Sequence, residues 1–115
     1  MKGYSLLIQK VLMTIDADIS ADLSLKTLAF QLNVNASYLS HLFKKETGST
    51  ITNYVNKKRV EYSIYLLNST TLQIQTIAQY CGITDVNYFT KLFKKHYGMT
   101  PSAYRAFVQQ NVSET

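Results

Sequence analysis

Ser37, Ser40, His41, Lys44 and Lys45 follow one another at intervals of three, one, three and one, and fifty positions later Asn87, Thr90, Lys91, Lys94 and Lys95 repeat those intervals. At about 3.6 residues per turn, this spacing gathers each set on one face of a helix. The chemistry such a face offers is hydrogen bonding and positive charge. Ser, His, Asn, Thr and Lys meet the donors and acceptors on base edges, and paired lysines suit phosphate oxygens. The same spacing assigns Tyr38, Leu39, Leu42 and Phe43, and in the second set Tyr88, Phe89, Leu92 and Phe93, to the opposite, core-facing side. YLSHLFKK at 38–45 thus returns as YFTKLFKK at 88–95, changed only at its second, third and fourth letters.

Other chemistry finds little support. Cys81, His41 and His96 are the only soft ligands or nucleophiles, and Cys81 falls on an apolar stripe, where a thiol acts as a small hydrophobe. The seven acidic residues are too scattered for a catalytic carboxylate pair, and no glycine-rich phosphate loop is present. No catalytic residue, metal or cofactor is expected. A single cysteine rules out an internal disulfide, and no apolar run approaches the roughly 20 residues that span a bilayer. With no charged-then-apolar leader, the expected setting is reducing and cytoplasmic, away from any membrane.

The elements that must position the two faces are helical. Ile8, Val11, Leu12, Ile15 and Ile19 recur at helical intervals, which predicts a first helix over about 4–17. Ser24 is placed to cap a short second helix whose stripe is Leu25, Leu28, Ala29 and Leu32, with a tight turn at Asn33. A third helix runs from 36 to about Thr47 and closes on Gly48. Thr50 caps a fourth from Ile51 to about Asn68, roughly 27 Å long at 1.5 Å per residue. The grammar then repeats. Ile74, Ile77, Ala78 and Cys81 match the second helix's stripe at an offset of 49, and Gly82 stands where Asn33 stood; both residue types accept positive φ. One inserted residue raises the offset to 50 through Gly48/Gly98, Thr50/Thr100 and Tyr54/Tyr104, and Pro101 opens the last helix.

The expected fold is therefore all-α: seven helices forming two helix-turn-helix lobes, at 4–49 and 69–108, joined by a long central helix over 50–68. Residues 109–115 are polar and expected to fray. Two copies are too few for a solenoid.

Charge separates the halves. Lys2, Lys10 and Lys26 balance Asp16, Asp18 and Asp22, so the first 35 residues are neutral and the net charge of +5 lies wholly beyond them. A basic excess that begins with the first copy of the phrase points to a polyanion. Two readings fit: a duplex-DNA reader, whose second helix in each unit enters the major groove, and a helical interaction module that binds an acidic protein. Salt dependence and sequence preference on duplex DNA separate them.

In the second half, Ile77-Ala78, Gly82, Asp85, Tyr88-Phe89, Leu92-Phe93-Lys94-Lys95, Gly98, Thr100-Pro101 and Tyr104-Arg105 stand in one order and spacing. The first half has Tyr38-Leu39-Ser40, Leu42-Phe43-Lys44-Lys45, Gly48 and Tyr54, then Arg59-Val60-Glu61 and Leu66-Leu67. In these residues, over about 4–108, the chain resembles the DNA-binding domain of the AraC/XylS family of bacterial transcription regulators. The resemblance implies two recognition helices in successive major-groove segments, with base contacts from Ser37, Ser40, His41, Asn87, Thr90 and Lys91. Phosphate contacts would come from Lys44, Lys45, Lys94 and Lys95. It further implies double-stranded DNA at an asymmetric promoter site as partner, activation or repression beside RNA polymerase, and a sensing or receiver domain outside this chain.

Departures from the family pattern are specific. His41 and Lys91 stand where Arg is common, which puts bidentate guanine reading at both positions in doubt. Ile83 replaces a common aromatic and Ser63 a common Ala, each with a packing role retained. Tyr62, Ile64 and Tyr65 make the central helix more apolar than a solvated spacer requires. Burial against the lobes is the expected reason, with contact to an absent domain as the alternative.

Overall fold

Short polar residues set where the helices begin. In the computed structural model, which describes residues 3–114 and side chains through 110, the order is α1 (Leu6–Ala17), α2 (Leu25–Gln31), α3 (Ala36–Thr47), α4 (Ile51–Ser69), α5 (Ile74–Tyr80), α6 (Val86–Tyr97) and α7 (Pro101–Glu114). No strand occurs among the described residues, so the all-α, seven-helix expectation holds. α1 starts two residues later than its periodicity suggests, because Ser5 is extended and accepts the Ile8 N–H at 3.4 Å. α7 continues past Gln109, where a polar frayed tail was expected, as helix through Glu114. The side chains beyond 110 lie outside the described residues.

The chain divides into two compact units, one up to Asn56 and one from Lys57, so the boundary falls inside α4. In the first unit, Ile8, Val11, Leu12 and Ile15 of α1, Leu28 and Ala29 of α2, Leu39 and Phe43 of α3, and Ile51 and Val55 of α4 form one buried cluster. Tyr54 meets Phe43 edge-on, with centroids 5.6 Å apart and planes at 79°. In the second unit the cluster is Val60, Leu66 and Leu67 of α4, Ile77, Ala78 and Cys81, then Ile83, and Phe89, Leu92 and Phe93 of α6. Tyr104 repeats the edge-on contact on Phe93, at 5.9 Å and 77°.

The turns that aim α3 and α6 are built alike. Asn33 has φ 56° and Gly82 φ 91°, the left-handed region in both copies. Past them, Val34 N–H donates to Ala29 O at 3.0 Å and Ile83 N–H to Ala78 O at 2.9 Å, which closes the preceding helix and redirects the chain. Thr84 is the one residue added in the second copy.

Two expectations about tyrosines fail. Tyr62 and Tyr65 are exposed, stacked on each other with centroids 6.2 Å apart, and not buried against the lobes. They are three residues apart on α4, so their rings neighbour each other on one outward strip. The buried polar residue of that stretch is instead Ser63, whose hydroxyl donates to Val60 O at 2.6 Å and so enters the core satisfied. Tyr38 and Tyr88, expected in the core, are likewise exposed.

Candidate nucleic-acid interface

α3 and α6 are each 12 residues long and are held at both ends by their own sequence. At the start, Asn35 accepts the Tyr38 N–H at 3.0 Å, and Asp85 accepts the Asn87 and Tyr88 N–H groups at 2.9 and 3.3 Å. At the end, Gly48 and Gly98 take φ 80° and 78°, and each donates its N–H to the Lys44 or Lys94 carbonyl at 2.8 Å. Thr50 and Thr100 then cap the following helices, accepting from Asn53 and Ala103 N–H at 3.1 and 3.2 Å. The outward faces of α3 and α6 therefore sit on frameworks whose caps and closing bonds fall at corresponding positions, with one extra bond to Asp85.

Every residue expected to contact DNA lies on those faces. Ser37, His41, Lys44 and Lys45 are exposed and Ser40 is half-buried; Asn87, Lys91, Lys94 and Lys95 are exposed and Thr90 is half-buried. In the first unit all five residues, with Leu25 and Ala36, line an open concavity of about 560 Å³. The lysine pairs fall in the last turn of each helix, joined in α6 by His96. Cations there also favour the helix dipole, so part of their role is structural. The helix starts differ in charge: α3 is capped by a neutral amide and α6 by a carboxylate, which makes the N-terminus of α6 the less welcoming to an anion.

The face is wider than its spacing implied. Seven residues return to within about 20° of the starting direction on a straight helix. Tyr38 therefore stands on the strip of Lys45, and Tyr88 on that of Lys95. That spacing was the available signal, set aside because Tyr counts as an apolar letter.

Burial of Cys81 pushes its thiol up to about 12, a shift only partly opposed by the Arg59 charge. Among the described residues no group of three His, Cys, Asp or Glu side chains could hold a metal ion, and no helix is long and apolar enough to cross a membrane. Arg105 spends its charge on structure. Its guanidinium donates from Nη1 to Leu72 O and from Nη2 to Thr70 O at 3.1 Å, tying α7 to the segment that precedes α5.

Comparison with known proteins accounts for this arrangement. The profile of a helix-turn-helix domain family matches residues 28–106, from α2 into α7 and across both turns. The chain belongs to the AraC/XylS family. It is an AraC/XylS-type DNA-binding domain of the kind found in transcription regulators, and it is 36% identical over 103 residues to the regulatory protein PocR of Salmonella typhimurium. That match covers 90% of this chain and 34% of PocR. It is 32% identical over 99 residues to the transcriptional activator RhaR of Escherichia coli, covering 86% of this chain and 35% of RhaR. Among solved structures, the C-terminal domain of AraT, a response regulator from Geobacillus stearothermophilus, superposes with a TM-score of 0.88 at 34% identity. The superposition covers 92% of this chain and 88% of that one. The chain spans about a third of the length of the curated relatives it matches.

Proposed function

We propose that this AraC/XylS domain reads an asymmetric promoter site on double-stranded DNA by inserting α3 and α6 into successive major-groove segments. Ser37, Ser40 and His41 read one half-site, and Asn87, Thr90 and Lys91 read the other. Lys44, Lys45, Lys94 and Lys95 hold phosphates. The observation that carries the reading is the pairing of two frameworks whose turn-closing and helix-ending backbone bonds correspond, with different outward residues. A structural repeat has no need to vary all three of its central outward positions, as Ser37/Asn87, Ser40/Thr90 and His41/Lys91 do, whereas a reader of two unlike half-sites must.

The chain works within a larger cytoplasmic regulator. A sensing or receiver part supplies the signal, as the response-regulator origin of the AraT domain suggests, and RNA polymerase beside the promoter is the second macromolecular partner. No step of this function requires catalysis.

Selection from a randomised duplex pool tests the reading directly. One motif with two dissimilar halves is expected; recovery of no motif would return the chain to the class of acidic-protein binders. Four lysine–phosphate contacts predict a log–log salt slope of about −3.6, which Lys94→Ala lowers in magnitude by about 1.

A further inference from the structure

We infer that the two half-sites differ in stringency: the α6 half-site is strictly specified, with guanine read by Lys91 and adenine by Asn87, and the α3 half-site is degenerate. This rests on the reading of α3 and α6 as recognition helices. Asn87 and Lys91 are both exposed on the outward face of α6. They stand one helical turn apart, so they point within about 40° of each other and lie about 6 Å apart along the axis. At about 3.4 Å per base pair, that separation is two steps. Thr90 lies about 60° to the side of Asn87 and is half-buried, which leaves the middle of the face to the other two.

Donors and acceptors assign the bases. A lysine ammonium carries three donors and no acceptor. In the major groove only guanine offers two acceptors on one base, O6 and N7; adenine and thymine offer one each, and cytosine offers a donor. Lys91 lacks the planar fork of arginine, yet an ammonium placed between O6 and N7 meets an acceptor on either side, so guanine is its best partner. The Asn87 amide sets a carbonyl beside an NH2, the complement of the N6 donor and N7 acceptor of adenine. No other single base presents both. α3 lacks these devices. Ser37 stands where α6 has Asn87, and Ser40 where it has Thr90. A serine hydroxyl rotates to donate or to accept, so it meets any base pair. His41 replaces Lys91, and a neutral imidazole carries its one donor on either nitrogen, so it too adapts to more than one base edge.

The test titrates the 115-residue chain with its selected duplex and with duplexes changed at one base pair each. In the half-site that responds to Asn87→Ala and Lys91→Ala, a change at the adenine or the guanine should weaken parent binding about five- to a hundredfold. In the other half-site, every single change should cost less than that range. Lys91→Arg should sharpen the guanine preference, because the fork is restored. Replacing that guanine with 7-deazaguanine, which lacks the N7 acceptor, should weaken the parent and leave Lys91→Ala unaffected; a purely structural Lys91 would show no such difference. Another base at either responsive position, or equal stringency in both half-sites, would overturn the inference and leave the recognition-helix reading standing. So would a motif altered by Ser37→Ala or His41→Ala but by neither α6 substitution. A motif that no substitution on either face alters, or no motif at all, would overturn the recognition-helix reading and the inference with it. Circular dichroism confirms that each variant is folded.

Discussion

Cys81 and Arg105 both act on the second unit's stability, one as a buried thiol and the other as a guanidinium fork on two carbonyls. The stripe Ile74, Ile77, Ala78, Cys81 placed the cysteine in the core, and full burial agrees. Its thiol should therefore resist a disulfide-exchange reagent in the native protein at pH 8 and react once urea unfolds the chain. The pH dependence follows from linkage. The folded thiol keeps its proton to about 12, while the unfolded thiol loses it near 9.0, so the unfolded state gains from ionisation between those values. Below pH 9 Cys81 should add nothing to the pH dependence of stability. Above it, the parent should lose stability relative to Cys81→Ala as pH rises, in urea titrations of both. Arg105 was legible as half of the Tyr104-Arg105 motif but not in its role, because a guanidinium's partners are carbonyls remote in sequence, here 33 and 35 residues away. A lysine cannot reproduce that fork. Arg105→Lys should cost about 1–3 kcal/mol in chemical unfolding, while the salt slope of DNA binding stays as in the parent.

Caps and turns carried most of the information at the scale of elements. Ser24, Asn35, Thr50, Gly48 and Gly98 marked helix ends within a residue, because a cap is a local bargain between one side chain or one φ value and the adjacent backbone. The faces were less legible. An outward arc is set by what packs on a helix, and in α3 and α6 the core covers only the Leu39–Phe43 and Phe89–Phe93 side, leaving Tyr38 and Tyr88 outside. Tyrosine, with an apolar ring and a polar tip, suits either environment, so the alphabet could not decide. Ser5 shows the opposite case: its backbone N–H is held at 2.7 Å by the Glu46 carboxylate, a contact across 41 residues that periodicity in α1 cannot reveal. The glycine caps give the cleanest prediction. A Cβ at Gly48 or Gly98 would meet no atom within 4 Å, so Gly48→Ala and Gly98→Ala should cost only the left-handed backbone penalty, about 1–2 kcal/mol each by urea unfolding. Asparagine, which tolerates that region as Asn33 does at φ 56°, should cost less at either site.

The whole molecule is two units that share a framework and differ at the central outward positions of α3 and α6. The turn-closing bonds are 3.0 and 2.9 Å, the helix-ending bonds are both 2.8 Å, and the edge-on ring contacts are 5.6 and 5.9 Å. If specificity resides in the outward letters, transplanting them should transplant the half-site. Ser37→Asn, Ser40→Thr and His41→Lys together give α3 the outward letters of α6 and leave Leu39, Phe43 and both caps untouched. Only the solvent-facing or half-buried positions change, so the unfolding midpoint should stay close to the parent's. Selection with this triple variant should return a motif whose first half has come to resemble its second, each altered base pair shifting preference by about 1–3 kcal/mol. One framework difference bears on the outcome: Asn35 caps α3 with a neutral amide and Asp85 caps α6 with a carboxylate. Converged half-sites bound with unequal strength would assign that remainder to the caps, and Asn35→Asp in the triple variant should then remove it. An unchanged first half-site would show instead that the residues reading it lie elsewhere in the unit.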